Sequence, residues 1–343
     1  MALSIRGVIE GFYGPPWTHA DRLDLLGFCG AHELDTWVHA PKDDPYHRER
    51  WRDPYPDAEL TLLAELAAAA TRHGVDFVWS VGPGLSMRYS DDAELATLVA
   101  KCEQVRSAGI HAVHLLWDDV EHDLHGPGDE ERYGGEVKPS AAAQADVSNR
   151  FRAAFRQEAP LVVCPMGYAG IERTPYRDTF ARLLDPEILV YWTGPEVVSQ
   201  AITRADLDSA ADSFAHELLL WDNYPVNDFD NERLFLGPLR GRDAGLARGA
   251  LAGILGNGMV QPVPSKLALA TIADFARDPD GYDPLASYER ALAEHGPEVV
   301  EALRTLAPSP ADVTRPEDVA QLVEALAPGV DAATGLALLE PFA

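Results

Sequence analysis

The chain has 343 residues, 46% of them apolar, and a net charge of -27. That length holds one large domain, or one domain with an appendage. So acidic a balance excludes nucleic acid and anionic membrane as main partners, since both recruit basic patches.

In chain order, apolar strand-like runs alternate with longer amphipathic ones. The strand-like runs are Ile5 to Glu10, Leu34 to Ala40, Asp76 to Val81, Ala112 to Trp117, Leu161 to Pro165, Ile188 to Thr193, Leu218 to Trp221 and Ala252 to Leu255. The helical stretches are His19 to Phe28, Ala58 to His73, Asp91 to Ala108, Ala141 to Gln157, Tyr176 to Leu184, Arg204 to Phe214, Ala244 to Ala250 and Lys266 to Ala276. Asp91 with Glu94 reads as a capping box, and Gly74 and Gly109 as helix-closing glycines. The segment from Asp123 to Lys138, rich in Gly, Glu and Asp, reads as an exposed loop near the barrel mouth. Beyond residue 281 the alternation stops, and Tyr282 to Glu294, Glu298 to Leu306 and Pro316 to Leu326 read as further helices.

Eight strands alternating with eight helices predict an α/β chain, a (β/α)8 TIM barrel with a short C-terminal helical appendage. The expected division is a catalytic barrel over 1–280 and a helical extension over 281–343. A doubly wound open sheet is the runner-up, but no Gly-x-Gly-x-x-Gly follows the first strand. No apolar run reaches ~18 residues, so no membrane span is expected. The first residues enter a strand without a basic segment and apolar core before it, so a cytoplasmic protein is expected. Cys29, Cys102 and Cys164 fit neither a disulfide framework nor metal-ligand spacing, and read as small core residues.

A barrel of this kind builds its site at the C-terminal strand ends. Here those ends carry Glu10-Gly-Phe-Tyr-Gly14, Pro41-Lys-Asp-Asp-Pro-Tyr-His47, Gly82-Pro-Gly84, Asp118-Asp119, Tyr168, Trp192-Thr-Gly194, Trp221-Asp-Asn223 with Asn227-Asp228, and Gly256-Asn257. Rings that stack on sugar faces, together with Asn, Asp and Lys that read hydroxyls, describe a carbohydrate site. The adjacent acids Asp118 and Asp119 carry the chemistry. Two like charges this close repel, which favours a division into a proton holder and an anion. Glycoside cleavage uses that division. Successive strand residues point to opposite faces. Both acids therefore reach one pocket only if the chain turns or bulges at the strand end.

Each feature has a plainer reading. An Asp pair also caps helices and makes turns. Lys42 also fits a structural pair with Asp43 or Asp44, and an Asx-turn around Pro225 also accounts for Asn223 and Asp228. Trp37 reads as core, while Tyr13 and Trp17 stay open between core and site. His39, His47, His114 and His122 raise the question of a metal, but their spacing matches no zinc pattern, and His114 alternates inward as a packing residue. No metal or cofactor is expected.

The residues resemble the catalytic domain of glycoside hydrolase family eighty-four, the O-GlcNAcase and bacterial β-N-acetylglucosaminidase group. The matching stretches are Gly7-Val-Ile-Glu-Gly-Phe-Tyr-Gly14 with Trp17, Ala40-Pro-Lys-Asp-Asp-Pro-Tyr-His-Arg48 with Trp51-Arg52, and Trp117-Asp-Asp-Val120. Further matches are Trp192-Thr-Gly-Pro195, Asp222-Asn-Tyr-Pro-Val-Asn-Asp228 and Gly256-Asn257. The resemblance implies a retaining exo-β-N-acetylglucosaminidase in which the substrate's own acetamido oxygen attacks and forms an oxazoline. It implies that Asp118 accepts the acetamido N–H and that Asp119 is general acid, then general base. Gly11 and Lys42 would hold sugar hydroxyls, Tyr168 would bond near the acetamido oxygen, and Trp221 would wall the acetamido pocket. Asn223 and Asp228 would read hydroxyls at the closed end, with Asn257 adding a contact. Glu121-His122-Asp123 and the acidic loop after it depart from the family pattern on the leaving-group side. The expected partner is a GlcNAc-bearing glycoside or glycoprotein; a homo-oligomer stays open. The alternative is a catalytically silent barrel that binds N-acetylated sugars, and a third reading is a metal-dependent hydrolase sensitive to chelators.

Overall fold

A computed structural model describes residues 2–121, 124–230 and 234–294. Eight parallel strands pair in sequence order and close on themselves: β1 (Ile5–Glu10), β2 (Thr36–His39), β3 (Asp76–Val81), β4 (Ala112–Leu116), β5 (Val162–Cys164), β6 (Leu189–Trp192), β7 (Leu218–Asp222) and β8 (Leu251–Asn257). The closing pair is β1 with β8, where Ile5 sits beside Gly253 and Ile9 beside Asn257. Helices lie between the strands: α1 (His19–Ala31), α2 (Asp57–Arg72), α3 (Asp92–Ser107), α4 (Pro127–Tyr133), α5 (Pro139–Ala154), α6 (Pro175–Leu183) and α7 (Arg204–Phe214). After β8 come α8 (Pro262–Arg277) and α9 (Pro284–Ala293). The (β/α)8 barrel expected from the alternation is the fold.

The strands read as near-continuous apolar runs because both faces are buried. Ile9, Val38, Val78, Leu116, Val162, Leu189 and Leu219 fill the barrel interior. Their neighbours Val8, Trp37, Trp79, Leu115, Val163, Val190 and Leu220 belong to the layer under the helices. This period-two division is the strand geometry itself. On α2, Leu63, Leu66, Ala67 and Ala70 fall on one helical face and are buried. Gly74 and Gly109 follow α2 and α3 at φ 69° and 90°, the left-handed geometry that ends a helix.

Several local expectations are corrected. Asp91 does cap α3, accepting from the Ala93 N–H, but Glu94 does not complete a capping box. Its buried carboxylate instead receives Arg52 and Arg88. The expected helix Ala244 to Ala250 is a single 3-10 turn, Ala244–Arg248, capped by Asp243. Gly245 and Gly249 in so short a run discourage α-helix propagation. The segment expected as an exposed loop contains α4, started by Pro127 and holding Asp129 and Tyr133 buried. The Tyr133 hydroxyl donates to Asp146 on α5 at 2.7 Å, which ties the segment down.

Of the C-terminal helices, α9 packs Tyr288, Ala291 and Leu292 with Leu267 and Ala270 of α8. The expected helices Glu298 to Leu306 and Pro316 to Leu326 lie outside the described residues, as do His122 and Asp123. Among the described residues no helix is long and apolar enough to cross a membrane.

Candidate active site

The C-terminal strand ends enclose a cavity of about 200 Å³ whose lining includes Gly11, Lys42, Asp118, Asp119, Tyr168, Trp221, Asn223, Asp228 and Asn257. All nine residues singled out from the sequence therefore meet in one place. A larger hollow of about 780 Å³ opens at the N-terminal foot of the barrel, around Thr36, Asp76, His111 and Leu189. It presents no adjacent acid pair, and barrel chemistry belongs to the opposite end. The smaller cavity is the candidate site.

Asp118 faces inward because it keeps the phase of β4. Leu116 points into the barrel interior, and two residues further the same face continues. Its side chain is 6% exposed and its Oδ2 is ion-paired with the Lys42 ammonium. Lys42 therefore pairs with neither Asp43 nor Asp44. Asp44 is occupied by the Tyr46 N–H and the Tyr55 hydroxyl. The Lys42 ammonium also lies 5.3 Å from the Trp221 ring centroid and 5.8 Å from that of Tyr13.

Asp119 reaches the same cavity by a turn. Its φ is 52°, left-handed for a residue with a side chain. That geometry costs about 1–2 kcal/mol and persists only where surrounding contacts hold it. The turn reverses the alternation, so that two consecutive side chains serve one pocket. Two phenols meet the Asp119 carboxyl, Tyr13 at 2.8 Å on Oδ2 and Tyr168 at 2.9 Å on Oδ1. Burial, and next to it the negative charge of Asp119, push the Tyr168 phenol above its ordinary value. Burial likewise raises Tyr13, against the opposing charge of Arg48. Both phenols stay protonated across the physiological range and act as donors.

The closed end is a chain of amides. Gly11 N–H donates to Asn257 Oδ1 at 3.1 Å, and Asn257 Nδ2 donates to Asn223 Oδ1 at 2.9 Å. Asn223 Nδ2 donates in turn to the Val197 carbonyl at 2.7 Å. The Asp228 carboxylate accepts the Tyr13 backbone N–H at 2.8 Å. Asn223 and Asp228 thus bond other loops, and the local Asx-turn reading around Pro225 does not describe them. Gly11 is glycine for space: a Cβ there would sit 2.2 Å from the Trp221 ring. Trp221 is braced from behind by Tyr191, edge-on at 5.5 Å, whose hydroxyl is held by His114 Nδ1 at 2.8 Å.

Some assignments needed coordinates. Tyr13, left open between core and site, is 43% exposed and belongs to the site, whereas Trp17 is core, with its indole N–H on the Met259 carbonyl. Trp37 is core as expected. Cys164 is buried as expected, yet it also lines the cavity. Val197, Val198 and Phe229 form an apolar rim that no sequence pattern marks. Glu10 ends β1 but points away from the cavity. It is fully buried, accepts two hydrogen bonds from Arg22 at 2.8 Å, and receives the Trp17 N–H at 3.1 Å. Among the described residues, the histidines weighed as metal ligands have different partners: His39 lies 3.6 Å from Glu10, His47 is on the Ser80 carbonyl, and His114 is on Tyr191.

The beta-N-acetylglucosaminidase family profile matches residues 6–308. The rat (Rattus norvegicus) Protein O-GlcNAcase is 34% identical over 273 residues, which is 78% of this chain and 29% of the relative. The chain thus spans less than a third of that relative's length. Among solved structures, a mutant of the Thermobaculum terrenum O-GlcNAc hydrolase superposes with TM-score 0.84 at 32% identity, over 99% of this chain and 75% of that one. The structure of CpGH84B superposes with TM-score 0.86 at 27% identity, over 99% and 66%. Because that profile covers most of its length, the chain belongs to the beta-N-acetylglucosaminidase family of glycoside hydrolases.

Proposed function

We propose that the protein is a retaining exo-β-N-acetylglucosaminidase that removes terminal β-linked GlcNAc with help from the substrate's acetamido group. The observation that carries this reading is the unequal setting of two consecutive acids in one cavity, Asp118 against an ammonium and Asp119 between two phenols.

Lys42 occupies Asp118 Oδ2, which leaves Oδ1 to accept the acetamido N–H. That contact turns the acetamido oxygen toward the anomeric carbon and supports the positive charge that develops. The acetamido oxygen attacks the anomeric carbon as the bond to the glycosidic oxygen breaks. Asp119 gives its proton to that oxygen, so the aglycone leaves as a neutral alcohol and a protonated oxazoline remains, its N–H held by the Asp118 carboxylate. Asp119, now a carboxylate, takes a proton from water as the water oxygen attacks the same carbon and opens the protonated oxazoline back to the acetamide. Two inversions give retention. A phenol can donate to a carboxylate or accept from a carboxylic acid, so Tyr13 and Tyr168 serve Asp119 in both states. Trp221 walls the acetamido pocket, Gly11 and Lys42 hold hydroxyls, and the Asn223, Asp228 and Asn257 end reads the remaining ones. O-GlcNAc-bearing proteins fit as a substrate class because relatives of this chain carry that activity in their names.

The test is hydrolysis of p-nitrophenyl β-GlcNAc, with the first-formed anomer read by proton NMR. Release of nitrophenol with β-GlcNAc as first product is expected. An inert wild type, or α-GlcNAc as first product, overturns the reading.

A further inference from the structure

The left-handed turn at Asp119 needs contacts to hold it, and its backbone is bonded by Arg48. Arg48 sits in the loop after β2 and is 9% exposed. One guanidinium nitrogen donates to the Asp119 carbonyl at 2.6 Å and to the Asp118 carbonyl at 3.4 Å. The other terminal nitrogen donates to the Tyr13 hydroxyl at 3.1 Å, and that hydroxyl donates to the Asp119 carboxyl. The guanidinium carbon lies 5.9 Å from the Tyr13 ring centroid, and the aliphatic stem runs beside Gly82 at the end of β3. One side chain thus joins the ends of four successive strands. Among the described residues no carboxylate forms an ion pair with it, so its fork is spent on two carbonyls and a phenol. A planar fork with several fixed donors suits that task, and a lysine supplies only a point charge with movable donors.

We propose that Arg48 is the positioning residue for the general acid. It fixes the backbone turn that brings Asp119 into the cavity, and it orients the Tyr13 hydroxyl on the Asp119 carboxyl. It is not among the residues that line the cavity. The inference rests on the reading of Asp119 as the proton donor.

That role makes a prediction a general loss of folding does not. A misplaced acid matters only where the leaving group needs a proton. Arg48→Ala and Arg48→Lys are compared with wild type on two β-GlcNAc glycosides, one with the acidic 2,4-dinitrophenol as leaving group and one with methanol. The expected result for Arg48→Ala is a kcat/KM within about 3-fold of wild type on the dinitrophenyl substrate and ~10²-fold lower on the methyl glycoside, the size of a lost proton transfer. Arg48→Lys should show the same split, more weakly, and keeps the test available if the alanine variant does not fold. An equal loss on both substrates, or no loss on the methyl glycoside, overturns the proposal for Arg48. A wild type inert on both overturns the hydrolase reading instead, which separates the two failures.

Discussion

At the scale of single residues, the proposed mechanism gives two neighbours in sequence different tasks. In it Asp118 acts on the acetamido group whatever leaves, so Asp118→Asn should lower kcat/KM by ~10²–10⁴-fold on activated and unactivated glycosides alike. Asp119→Asn should leave the first step on a dinitrophenyl glycoside nearly intact and abolish cleavage of an alkyl glycoside. Comparable losses for both variants on every substrate would contradict this division. Gly11 tests the cavity wall. A methyl group there meets the Trp221 ring at 2.2 Å. Gly11→Ala should therefore displace the indole, cost about 1–3 kcal/mol in a urea melt and raise KM by ~10-fold or more. A variant with unchanged KM would mean that Trp221 does not wall the sugar pocket.

At the scale of elements, α1 is the clearest case of local chemistry serving the site. Thr18 and Asp21 form a reciprocal capping box at its start. One turn on, Arg22 reaches back to Glu10, and Glu10 receives the Trp17 N–H at the end of the Gly11 to Trp17 loop. Thr18→Ala should cost about 1 kcal/mol of stability by denaturant titration. Elements were also where the sequence was most and least readable. All eight strands are present because their apolar runs and terminal glycines are local signals. The run over Ala244 to Ala250 misled because apolar content cannot separate one 3-10 turn from an α-helix, and only five residues form it. α4 was hidden because its buried side, Asp129 and Tyr133, packs against partners distant in sequence. The site divides in the same way. Seven of its nine residues lie in the motifs, with Tyr168 and Trp221 marked only as strand-end residues, but the Lys42–Asp118 pair and the Tyr13 and Arg48 contacts on the acid turn join separate strand ends. No local pattern encodes them.

At the scale of the whole molecule, the buried polar groups set the response to pH. Burial holds the His114 and His47 imidazoles down at about 3, well under the ordinary 6.5, with the Lys42 charge also acting on His47. The unfolded chain therefore binds protons there before the folded one does. Their contribution to stability is complete above pH 6.5 and is lost as pH falls from 6.5 toward 3. Glu10 acts lower. Burial disfavours its anion, but the adjacent His39 ring and the Arg22 guanidinium reverse that and hold it below the ordinary 4.5. Its contribution is present above pH 4.5 and is lost on further acidification through the folded value. Urea midpoints should thus fall in two stages on acidification. His114→Gln should flatten the first stage, and Glu10→Gln the second. A midpoint constant between pH 7 and pH 5 would show that these histidines are not neutral in the fold.

The inward phase of β4 makes the identity of the two acids a matter of counting. From Ala112 onward every second side chain enters the barrel, and Asp118 is simply the next in that count after Leu116. Substitutions along Ala112 to Leu116 preserve the count, so many should be tolerated as packing changes. Removing or adding one residue there does not. It would present the Asp119 position on the inner face, turn Asp118 toward the helix layer, and leave Arg48 gripping the wrong carbonyls. This strand can vary in spelling but not in length, and a relative that has gained or lost one residue between β4 and its acids should have lost the chemistry with it.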